Sequence, residues 1–409
     1  MTAKLPTVER RNDIVIKPSL SGRDILCFSH DWTGDPLSKT HLMRLLSKRN
    51  RILWINSIGY RAPGVNKADI SRAWKKLKAA RRSLKEVEPN IYVFNPLAIP
   101  AYGWPIARAI NRRWLKRQVK GVMRSLGFRN PINWVFNPAA AVIAGTLGES
   151  LLVYQCVDEY TAFSGVKSEA IAALEAELLQ KSNLVLVSAE RLRESKSKFN
   201  PRTVLVRHGV DYAHFRTALD PTTKVPDELA KLPRPIIGFF GLIADWVDVE
   251  LMAEVAKRFQ TGSLVLLGKA TTDTSALQLL PNVHLLGRKP YSELPAYCKG
   301  FDVALNPFRI NELTLNANPL KVREYLAAGL QVVSTNIPEV AVIRNCRIGI
   351  DREHFINEIQ SALVHPGCRA EISDSIRGES WEARLEEIEC HLAAISDCAA
   401  ADEKLGGTL

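Results

Sequence analysis

The stretch "NPLKVREYLAAGLQVVST" (residues 318–335) predicts a helix that is followed directly by a short strand. Asn318 can cap the helix, and Pro319 suits its first position, where a missing N–H costs nothing. Gly329 fits the left-handed position just beyond the helix end. The β-branched run "QVVST" (331–335) is typical of a strand buried in a parallel sheet. This pair of elements predicts one unit of an α/β fold.

The same alternation of apolar runs and helical patterns fills the first half of the chain. The predicted strands are residues 25–29, 51–58, 91–97, 132–136, 151–157, 184–189 and 203–209. The predicted helices are residues 37–49, 68–86, 104–125, 169–181 and 190–199. Strands and helices that alternate in this way predict a parallel sheet with helices on both faces.

A second α/β series follows a segment rich in Pro and Thr, which is typical of a linker. Its predicted strands are residues 236–241, 263–268, 282–287, 302–308 and 331–335. Its predicted helices are residues 246–259, 291–300, 319–328, 353–364 and 379–396. The predicted fold class is α/β, with two tandem Rossmann-like doubly wound domains and a cleft between them. The predicted boundaries are a polar tail (1–23), a first domain (24–217), a linker (218–235), a second domain (236–375) and a C-terminal helix and tail (376–409).

The composition is that of an ordinary globular protein. Of the 409 residues, 46% are hydrophobic and 24% are charged. No apolar run reaches the roughly 18 residues that cross a bilayer, and the first 20 residues lack the apolar core of a signal peptide. Seven scattered cysteines without a C-x-x-C pair argue against a disulfide framework or a structural zinc site. These features favour a cytoplasmic location.

The net charge of +12 is concentrated in two segments. Residues 61–90 hold nine Lys and Arg against three acidic residues, and residues 101–130 hold eight against none. Aromatic residues lie between these charges: Trp74, Tyr102, Trp104, Trp114 and Phe128. Such a surface could attract anionic lipid, nucleic acid or a phosphorylated substrate, or it could be a solvated helix face with the aromatics in the core. No nucleic-acid-binding motif accompanies the charge, so we expect contact with a membrane surface and no nucleic-acid partner.

Glycines and cations follow several predicted strands of the second series. Ligands of doubly wound sheets bind beyond the carboxyl ends of the strands, and a glycine there lets the backbone approach a ligand. One strand ends in Gly241, another in Gly268–Lys269 and a third in Gly287–Arg288. A cation at this edge suits a diphosphate, whereas tight packing and a solvated loop are the alternatives. The dinucleotide fingerprint G-x-G-x-x-G is absent.

The charges of the helix in the opening stretch also suit a nucleotide. Lys321 and Glu324 are three residues apart and therefore share one helix face. An anionic ligand at the helix N-terminus would be attracted by the helix dipole and by Lys321. Glu324 could accept hydrogen bonds from two ribose hydroxyls. The alternative is a surface Lys–Glu pair that contributes about 0.3–0.5 kcal/mol.

Two carboxylates follow a strand of the first series in "LLVYQCVDEYTAF" (151–163). A carboxylate at the cleft edge could act as the general base that deprotonates an attacking hydroxyl, a role we predict for Asp158. Asp158 could instead cap the following helix. His30 and Asp31, after the first strand, are a second candidate for activating a hydroxyl. The predicted acceptor site comprises Asp31, Trp32, Gly34, Ser38 and Glu159.

The second series resembles the carboxyl domain of GT-B glycosyltransferases. The resemblance runs through "GFFGLIADWVDVELM", "NVHLLGRKPYSEL" and "NPLKVREYLAAGLQVVST" and is strongest to group 1, glycosyltransferase family 4, in the branch of teichuronic-acid-type polysaccharide enzymes. In the first series, "CVDEYTAF" and "VRHGVDYAHF" are similar to motifs of that family. The resemblance covers most of residues 24–365.

The resemblance implies an enzyme that moves a sugar from a nucleotide sugar, UDP-linked by expectation, to a carbohydrate or lipid-linked acceptor. This transfer would serve cell-surface polysaccharide synthesis at the inner face of the plasma membrane. No D-x-D motif is present, so we expect no metal and no other cofactor, with cations and a helix dipole binding the diphosphate. Two other interpretations remain: a non-catalytic scaffold that binds nucleotide sugars, and a nucleotide-sugar 2-epimerase on the same fold.

The resemblance also implies roles for single residues. Glu324 would bind the ribose, the loop at Gly287 and Arg288 would read the base, and the helix at 379–396 would cross back to the first domain. The family's acidic contact to the donor sugar is Asn316 here. The Arg and Lys that often grip the diphosphate are absent from "GLIADWVD", so other cations would replace them. The full predicted donor set is Gly241, Lys269, Gly287, Arg288, Arg309, Asn316, Asn318, Lys321 and Glu324.

Overall fold

A computed structural model describes residues 20–32, 36–58, 84–99, 105–163 and 168–406. The first of its two β-sheets has eight strands in the order β3-β4-β2-β1-β5-β6-β7-β8. Only β3 runs antiparallel to its neighbour. The strands are β1 (Asp24–Phe28), β2 (Arg51–Ile55), β3 (Leu84–Glu88), β4 (Ile91–Phe94), β5 (Ile132–Val135), β6 (Leu151–Cys156), β7 (Leu184–Val187) and β8 (Thr203–Leu205).

The second sheet has six strands, in the order β11-β10-β9-β12-β13-β14, and all its pairs are parallel. The strands are β9 (Ile236–Phe240), β10 (Ser263–Leu267), β11 (Val283–Leu285), β12 (Val303–Asn306), β13 (Val332–Thr335) and β14 (Cys346–Gly349). Two Rossmann-like α/β domains therefore follow each other along the chain, as predicted from the alternation of strands and helices. The residue boundaries that we assign to the domains and the linker stay predictions.

Helices connect the strands and cover both sheets. In chain order they are α1 (Ser38–Ser47), α2 (Pro105–Leu126), α3 (Ser168–Lys181), α4 (Glu190–Lys196), α5 (Tyr212–Arg216), α6 (Asp227–Ala230), α7 (Val249–Arg258), α8 (Ser275–Gln278), α9 (Leu294–Gly300), α10 (Glu312–Leu315), α11 (Leu320–Ala327), α12 (Pro338–Ala341), α13 (Arg352–Val364), α14 (Arg369–Ser375) and α15 (Trp381–Gly406). Within the described ranges, none of them is both long and apolar enough to cross a membrane.

The central strands are buried on both faces because helices cover both sides of each sheet. Trp54 and Trp134 are fully buried in the first domain, and Phe239 and Phe301 in the second. A Cβ on Gly238 would lie 2.1 Å from the ring of Phe301. Gly238 thus serves helix–sheet packing, which was one of the two roles open to such a glycine.

Two edge strands differ from the prediction. The helix expected over 68–86 is wrong at its end, because Leu84–Glu88 forms β3; residues 59–83 lie outside the described residues. β3 is a charged edge strand, "LKEVE", whose side chains are half-buried or exposed, so it lacks the apolar run that marks a buried strand. β14, an edge strand of the second sheet, is also mostly half-buried and was not predicted.

The chain crosses between the domains twice, and the two crossings lie side by side. The first crossing follows β8, and the second leads into α15. Val210 N donates to Glu379 O (2.9 Å), and Trp381 N donates to Val210 O (3.3 Å). A Cβ on Gly209 would lie 2.8 Å from the backbone of Trp381, so the crossings pack without room for a side chain at that point.

Helix α15 returns to the first domain, as the family resemblance implied. Its Leu385, Ile388 and Leu392 join the core that contains Leu42 and Leu46 of α1. Its Glu389 accepts hydrogen bonds from Arg49 Nη2 (2.9 Å) and from Leu20 N (3.1 Å). The cysteines with described side chains are all free thiols.

Candidate active site

A cavity of about 580 Å³ lies between the carboxyl ends of the two sheets. Its first-domain wall comes from the start of α1, the loop after β6 and the segment after β8. Its second-domain wall comes from the loops after β9, β10 and β12 and from the start of α11. Ligand pockets commonly have volumes of about 300–1,000 Å³. Eight predicted residues line this cavity: Ser38, Asp158, Gly241, Lys269, Arg288, Asn318, Lys321 and Glu324.

Lys321 and Glu324 face the cavity from the first two turns of α11. Within the described residues, neither side chain makes a hydrogen bond or an ion pair, so the alternative of a surface Lys–Glu pair is wrong. Lys321 Nζ lies 4.6 Å from the ring centres of both Phe239 and Phe308, where the aromatic faces attract the charge. Two half-buried ionisable groups that lack hydrogen-bond partners are costly in the empty site and favourable with a ligand.

Burial also perturbs the ionisation of this pair. Burial raises the pKa of Glu324 to about 8, against the opposing effect of Lys321 and with a contribution from Asp211. Burial lowers the pKa of Lys321 to about 8, and Glu324 partly offsets that shift. Strongly shifted groups in a cleft are typical of functional sites, and here the geometry supports the same conclusion.

The start of α11 differs from the prediction in one respect. The helix begins at Leu320 after Pro319, and no side chain caps it, so the predicted Asn318 cap is wrong. Asn318 Nδ2 instead donates to Ser188 O in the first domain (2.7 Å), and Asn318 Oδ1 accepts from Arg323 Nη1 (2.6 Å). Asn318 therefore links the domains. At the other end, Gly329 has a φ of +78° just beyond the helix, as predicted.

The strand-end glycines of the second domain pack directly on one another. Gly268 has a φ of +148°, and a Cβ there would lie 1.9 Å from Gly241 O. Gly268 N donates to Gly287 O (2.8 Å), and Gly241 N donates to Leu267 O (2.8 Å). Glycine at these positions keeps the backbone at the cavity floor close to any ligand, although Gly287 lies just outside the lining.

Two predicted donor residues lie away from the cavity. Arg309 forms an ion pair with Glu250 on an exposed surface. Asn316 is buried, and its Nδ2 donates to Glu312 O and to Glu312 Oε1, both at 2.8 Å. These two side chains therefore do not line the cavity in this structure, because Glu250 and Glu312 hold them, and their role in donor binding stays a prediction.

Asp158 lies in the cavity wall directly after β6. Its side chain accepts no hydrogen bond from the described residues. The cap of the following turn is Glu159, which accepts from Thr161 N (3.3 Å) and from Thr161 Oγ1 (2.6 Å). The alternative role of Asp158 as a cap is thus wrong. Burial raises the pKa of Asp158 to about 6, although the positive charge of Lys39 acts in the opposite direction.

Glu159, which we predicted to bind the acceptor, belongs instead to a buried ionic network. Lys196 Nζ donates to Glu159 Oε2 and to Glu175 Oε2, both at 2.8 Å. Tyr154 Oη donates to Glu175 Oε1 (2.6 Å). Burial raises the pKa of Glu159, but Lys196 and the hydrogen bonds outweigh it, and the net shift is downward. This carboxylate is occupied and does not line the cavity.

Residues 30–32, at the start of the loop after β1, are held by local hydrogen bonds and do not line the cavity. His30 Nδ1 hydrogen-bonds with Ser29 Oγ (3.0 Å). Asp31 Oδ1 accepts from Ser57 N (3.0 Å), and Trp32 N donates to Asn56 Oδ1 (2.9 Å). The predicted His30–Asp31 pair is therefore not formed, and these three residues do not line the cavity. Gly34 lies outside the described residues.

Comparison with known proteins agrees with this architecture. A family model described as "Glycosyl transferases group 1" matches residues 234–365, which span the second sheet. The Bacillus subtilis protein TuaH, assigned to teichuronic acid biosynthesis as a glycosyltransferase, is 25% identical over 284 residues, 64% of this chain and 68% of TuaH. Among solved structures, sucrose-phosphate synthase from Thermosynechococcus elongatus superimposes with a TM-score of 0.65 at 13% identity, over 92% of this chain and 100% of that chain. Anabaena HepE, solved with UDP, superimposes with a TM-score of 0.64 at 12% identity, over 91% of this chain and 100% of that chain.

The chain is a glycosyltransferase of the GT-B fold whose second domain matches the group 1 family model.

Among the cavity residues of this glycosyltransferase that the sequence patterns did not reveal are Lys39 and His208. Lys39 is the second residue of α1, and its Nζ lies 5.6 Å from the ring centre of Phe136. His208 lies three positions beyond β8, and its Nδ1 is 2.8 Å from Asn318 O. Lys39 lies inside the predicted helix 37–49 and resembles an ordinary helical lysine. His208 lies inside the predicted strand 203–209, which in the structure ends at Leu205, so inspection of the predicted strand ends passes over it.

Within the described part of this glycosyltransferase, no three His, Cys, Asp or Glu side chains are grouped so that they could hold a metal ion. The expected independence from metal stays a prediction. The cations that do line the cavity are Lys39, Lys269, Arg288, Lys289 and Lys321.

Proposed function

We propose that this glycosyltransferase transfers a sugar from a UDP-sugar to a carbohydrate or lipid-linked acceptor in cell-surface polysaccharide synthesis. The observation that carries the proposal is the pair Lys321 and Glu324, which face an interdomain cavity and have no hydrogen-bond or ion-pair partner among the described residues. UDP is the nucleotide in the HepE structure, and TuaH is assigned to teichuronic acid biosynthesis. Both likenesses support the proposal.

The donor fits the second-domain wall in one orientation. Glu324 accepts hydrogen bonds from the ribose hydroxyls, because a carboxylate offers two oxygens to a diol. The diphosphate lies over Gly241, near Lys321 and the uncapped first turn of α11, where N–H groups and positive charge attract an anion. The base lies toward Arg288, at the end of the loop that follows β11.

Asp158 is the general base in this proposal. The acceptor oxygen forms a bond to the anomeric carbon, the bond from that carbon to the UDP oxygen breaks, and the acceptor proton passes to Asp158. A carboxylate with a pKa near 6 is ionised at neutral pH and accepts a proton better than an ordinary carboxylate does. No protein hydrogen bond from the described residues competes for it.

We also propose that α2 contacts an anionic membrane at the cytoplasmic face. Ile106, Ile110 and Trp114 are four residues apart on one face and are 77%, 39% and 51% exposed. The opposite face packs into the core through Ala107, Asn111, Leu115, Val119 and Met123. Thus Trp114 does not turn into the core, whereas Phe128 does. Trp74, Tyr102 and Trp104 lie outside the described residues.

The charge of α2 favours lipid as the surface it meets. Seven cations lie on the helix with the apolar stripe: Arg108, Arg112, Arg113, Lys116, Arg117, Lys120 and Arg124. A basic amphipathic helix with exposed Trp and Ile is attracted to anionic headgroups and inserts its apolar residues at the interface. Such docking would bring the cleft close to a lipid-linked acceptor.

Metal-independent transfer is part of the proposal. Lys321, Lys269 and the first turn of α11 supply positive potential where the diphosphate would lie. Transfer should therefore be unchanged by EDTA. Loss of transfer with EDTA and its recovery with Mg²⁺ or Mn²⁺ would contradict this part of the proposal alone.

The deciding experiment is calorimetric titration of the protein with UDP, GDP and their common sugar conjugates. Micromolar binding of UDP and of one UDP-sugar is the expected result. Transfer is then followed by adding that radiolabelled UDP-sugar to bacterial membranes and counting lipid-extractable or polymeric product. Binding without transfer would favour the scaffold, and conversion of the sugar without an acceptor would favour the epimerase. Absence of nucleotide binding would overturn the proposal.

A further inference from the structure

His208 is a buried cavity residue that has no role in the proposed reaction. It lies between β8 and α5, is only 6% exposed, and lines the cavity. Its ring lies 6.0 Å from that of Trp381 at the start of α15. Its Nε2 is buried and has no hydrogen-bond partner among the residues that the structure describes. Buried polar atoms are nearly always paired in native proteins, so an unpaired one in a cavity indicates a missing ligand atom.

The hydrogen bond at the other ring nitrogen determines what Nε2 can do. His208 Nδ1 lies 2.8 Å from the backbone oxygen of Asn318. A carbonyl oxygen can only accept, so Nδ1 carries the proton. Burial lowers the pKa of His208 to about 4; the bond to Asn318 opposes this shift, and the cations Arg323 and Lys39 add to it. The imidazole is therefore neutral near pH 7, and Nε2 presents a lone pair to the cavity.

The lone pair on Nε2 can accept a hydrogen bond, and a hydroxyl group of a ligand can donate it. The phosphates of a nucleotide offer only acceptor oxygens at neutral pH, so they cannot donate to Nε2. A sugar hydroxyl donates one hydrogen bond and accepts others. Lys39 lies on the same wall with no hydrogen-bond partner for its Nζ among the described residues, and it can donate to such a hydroxyl. The two side chains together therefore suit a polyhydroxylated ring.

The position of His208 places this ring on the donor side. Its partner Asn318 lies two residues before α11, the helix that carries Lys321 and Glu324. A sugar attached to a diphosphate at the start of α11 would extend from there toward the first-domain wall. His208 is the residue of that wall bonded to the segment leading into α11.

We propose that His208 Nε2 accepts a hydrogen bond from a hydroxyl of the donor sugar, and that Asn318 is the positioning residue that fixes the accepting tautomer. This inference rests on the proposed function. Because Asn318 and His208 belong to different domains, the tautomer is fixed only while the domains hold their present arrangement. Recognition of the sugar is thereby coupled to domain closure.

Two substitutions separate the functions of the two ring nitrogens. In His208→Asn the side-chain amide nitrogen can take the place of Nδ1 and donate to Asn318 O, while nothing replaces Nε2. In His208→Gln the amide oxygen can take the place of Nε2, while the donor to Asn318 is lost. Calorimetry with UDP, and with whichever UDP-sugar the parent protein binds, measures the effect of each change.

For His208→Asn we expect UDP affinity within about twofold of the parent and a loss of about three- to tenfold for the UDP-sugar, the scale of one neutral hydrogen bond. His208→Gln should recover part of that loss. Equal losses for UDP and the UDP-sugar, or no loss for either, would overturn the inference while leaving the proposed function standing. Failure of the parent to bind any nucleotide would instead overturn the proposed function, and this inference with it.

The parent protein provides a second test that does not depend on the folding of a variant. In the ¹⁵N-histidine spectrum, the side chain of His208, assigned by its loss in either variant or by its coupling to the bound sugar, should be the Nδ1–H tautomer. The unprotonated Nε2 signal should shift on addition of the UDP-sugar and not on addition of UDP. A proton on Nε2, or the same shift with both ligands, would contradict the assignment.

Discussion

Glu324 and Lys321 show at the scale of single residues why an empty site is costly. Both are partly buried, and both have strongly shifted pKa values. In the described ranges neither has a hydrogen-bond or ion-pair partner. An ion pair between these two side chains would have brought their charged atoms into contact. Their separation in the ligand-free protein keeps each available for a different part of the donor, the diol for Glu324 and the diphosphate for Lys321.

Replacement of Glu324 by alanine should therefore weaken UDP binding. The expected loss is about 1.5–3 kcal/mol, the scale of hydrogen bonds to a charged group, as measured by calorimetry. Arg309→Ala is the matched control, since Arg309 pairs with Glu250 on an exposed surface. We expect no change in UDP affinity for the control. Unaltered affinity in a well-folded Glu324→Ala variant would place the ribose elsewhere.

Asp158→Asn should abolish sugar transfer while UDP-sugar binding persists. The amide has the size of the carboxyl group but cannot take the acceptor proton, and the wild-type carboxyl group caps no helix that its loss would disturb. Radiolabelled transfer and calorimetry on the same preparation measure the two properties. A variant that transfers sugar at the parent rate would show that Asp158 is not the base.

The pH profile should report the charge of Asp158 and its dependence on Lys39. Since the base acts only when ionised, kcat/KM should fall as the pH drops through about 6. Lys39 favours the ionised form, so Lys39→Met should raise the pKa of Asp158 and move this acid limb to higher pH. A limb that stays in place while the rate falls would mean that Lys39 acts only through substrate binding or folding.

The sequence revealed some site residues and hid others for a physical reason. Asp158, Lys321 and Glu324 were predicted correctly to face the cleft because strand ends and helix starts determine their positions. Arg309 and Asn316 were misplaced because nothing in a linear pattern shows which way a loop side chain points. Their directions are set by Glu250 and by Glu312, which the fold brings alongside.

At the scale of elements, buried strands were predictable and edge strands were not. β9 and β10 are continuous apolar runs because helices cover both faces, and such runs are visible in the sequence. β3 carries charges because it lies at an edge, so its pattern imitates a surface helix. In helix α2 the apolar residues recur at helical spacing, as predicted, but they form two groups. One group packs into the core, and the other forms the exposed stripe.

The exposed stripe and charge of α2 predict a measurable affinity for anionic vesicles. Reversal of two charges, in Arg113→Glu with Arg117→Glu, should remove two attractions of about 1 kcal/mol each and add two repulsions, so binding to phosphatidylglycerol vesicles should weaken by more than about thirtyfold. The matched control reverses Lys257 and Arg258 on exposed positions of α7 in the second domain. Cosedimentation measures both. Equal losses would indicate a general charge effect rather than a docking face.

At the scale of the whole molecule, one buried carboxylate joins the two domains. Glu339, at the start of α12, is 2% exposed and accepts from Glu190 N and from Arg207 Nε, both at 2.7 Å. Both donors belong to the first domain. The carboxylate also lies 3.4 Å from Asn318 Nδ2, which leads into the donor helix. The interdomain contact and the donor site therefore share residues.

Glu339→Ala should lower the free energy of unfolding by about 1–3 kcal/mol, because the buried donors lose their acceptor. Urea unfolding measures this change. Glu250→Ala, which breaks only the exposed pair with Arg309, is the control and should cost less than about 1 kcal/mol. Equal stability of the Glu339 variant and the parent would show that the hydrogen bonds of Glu339 stabilise the protein no more than hydrogen bonds to water would.

The paired crossings at Val210 and Trp381 also limit how the cleft can open. Two halves joined by one tether could twist and slide in any direction. Two tethers that lie side by side and bond to each other form one hinge line, about which the two domains can only rotate. The parts of the domains farthest from this line move most, so a large ligand can enter at the outer edge of the cleft while the bonds between Val210 and the start of α15 are kept.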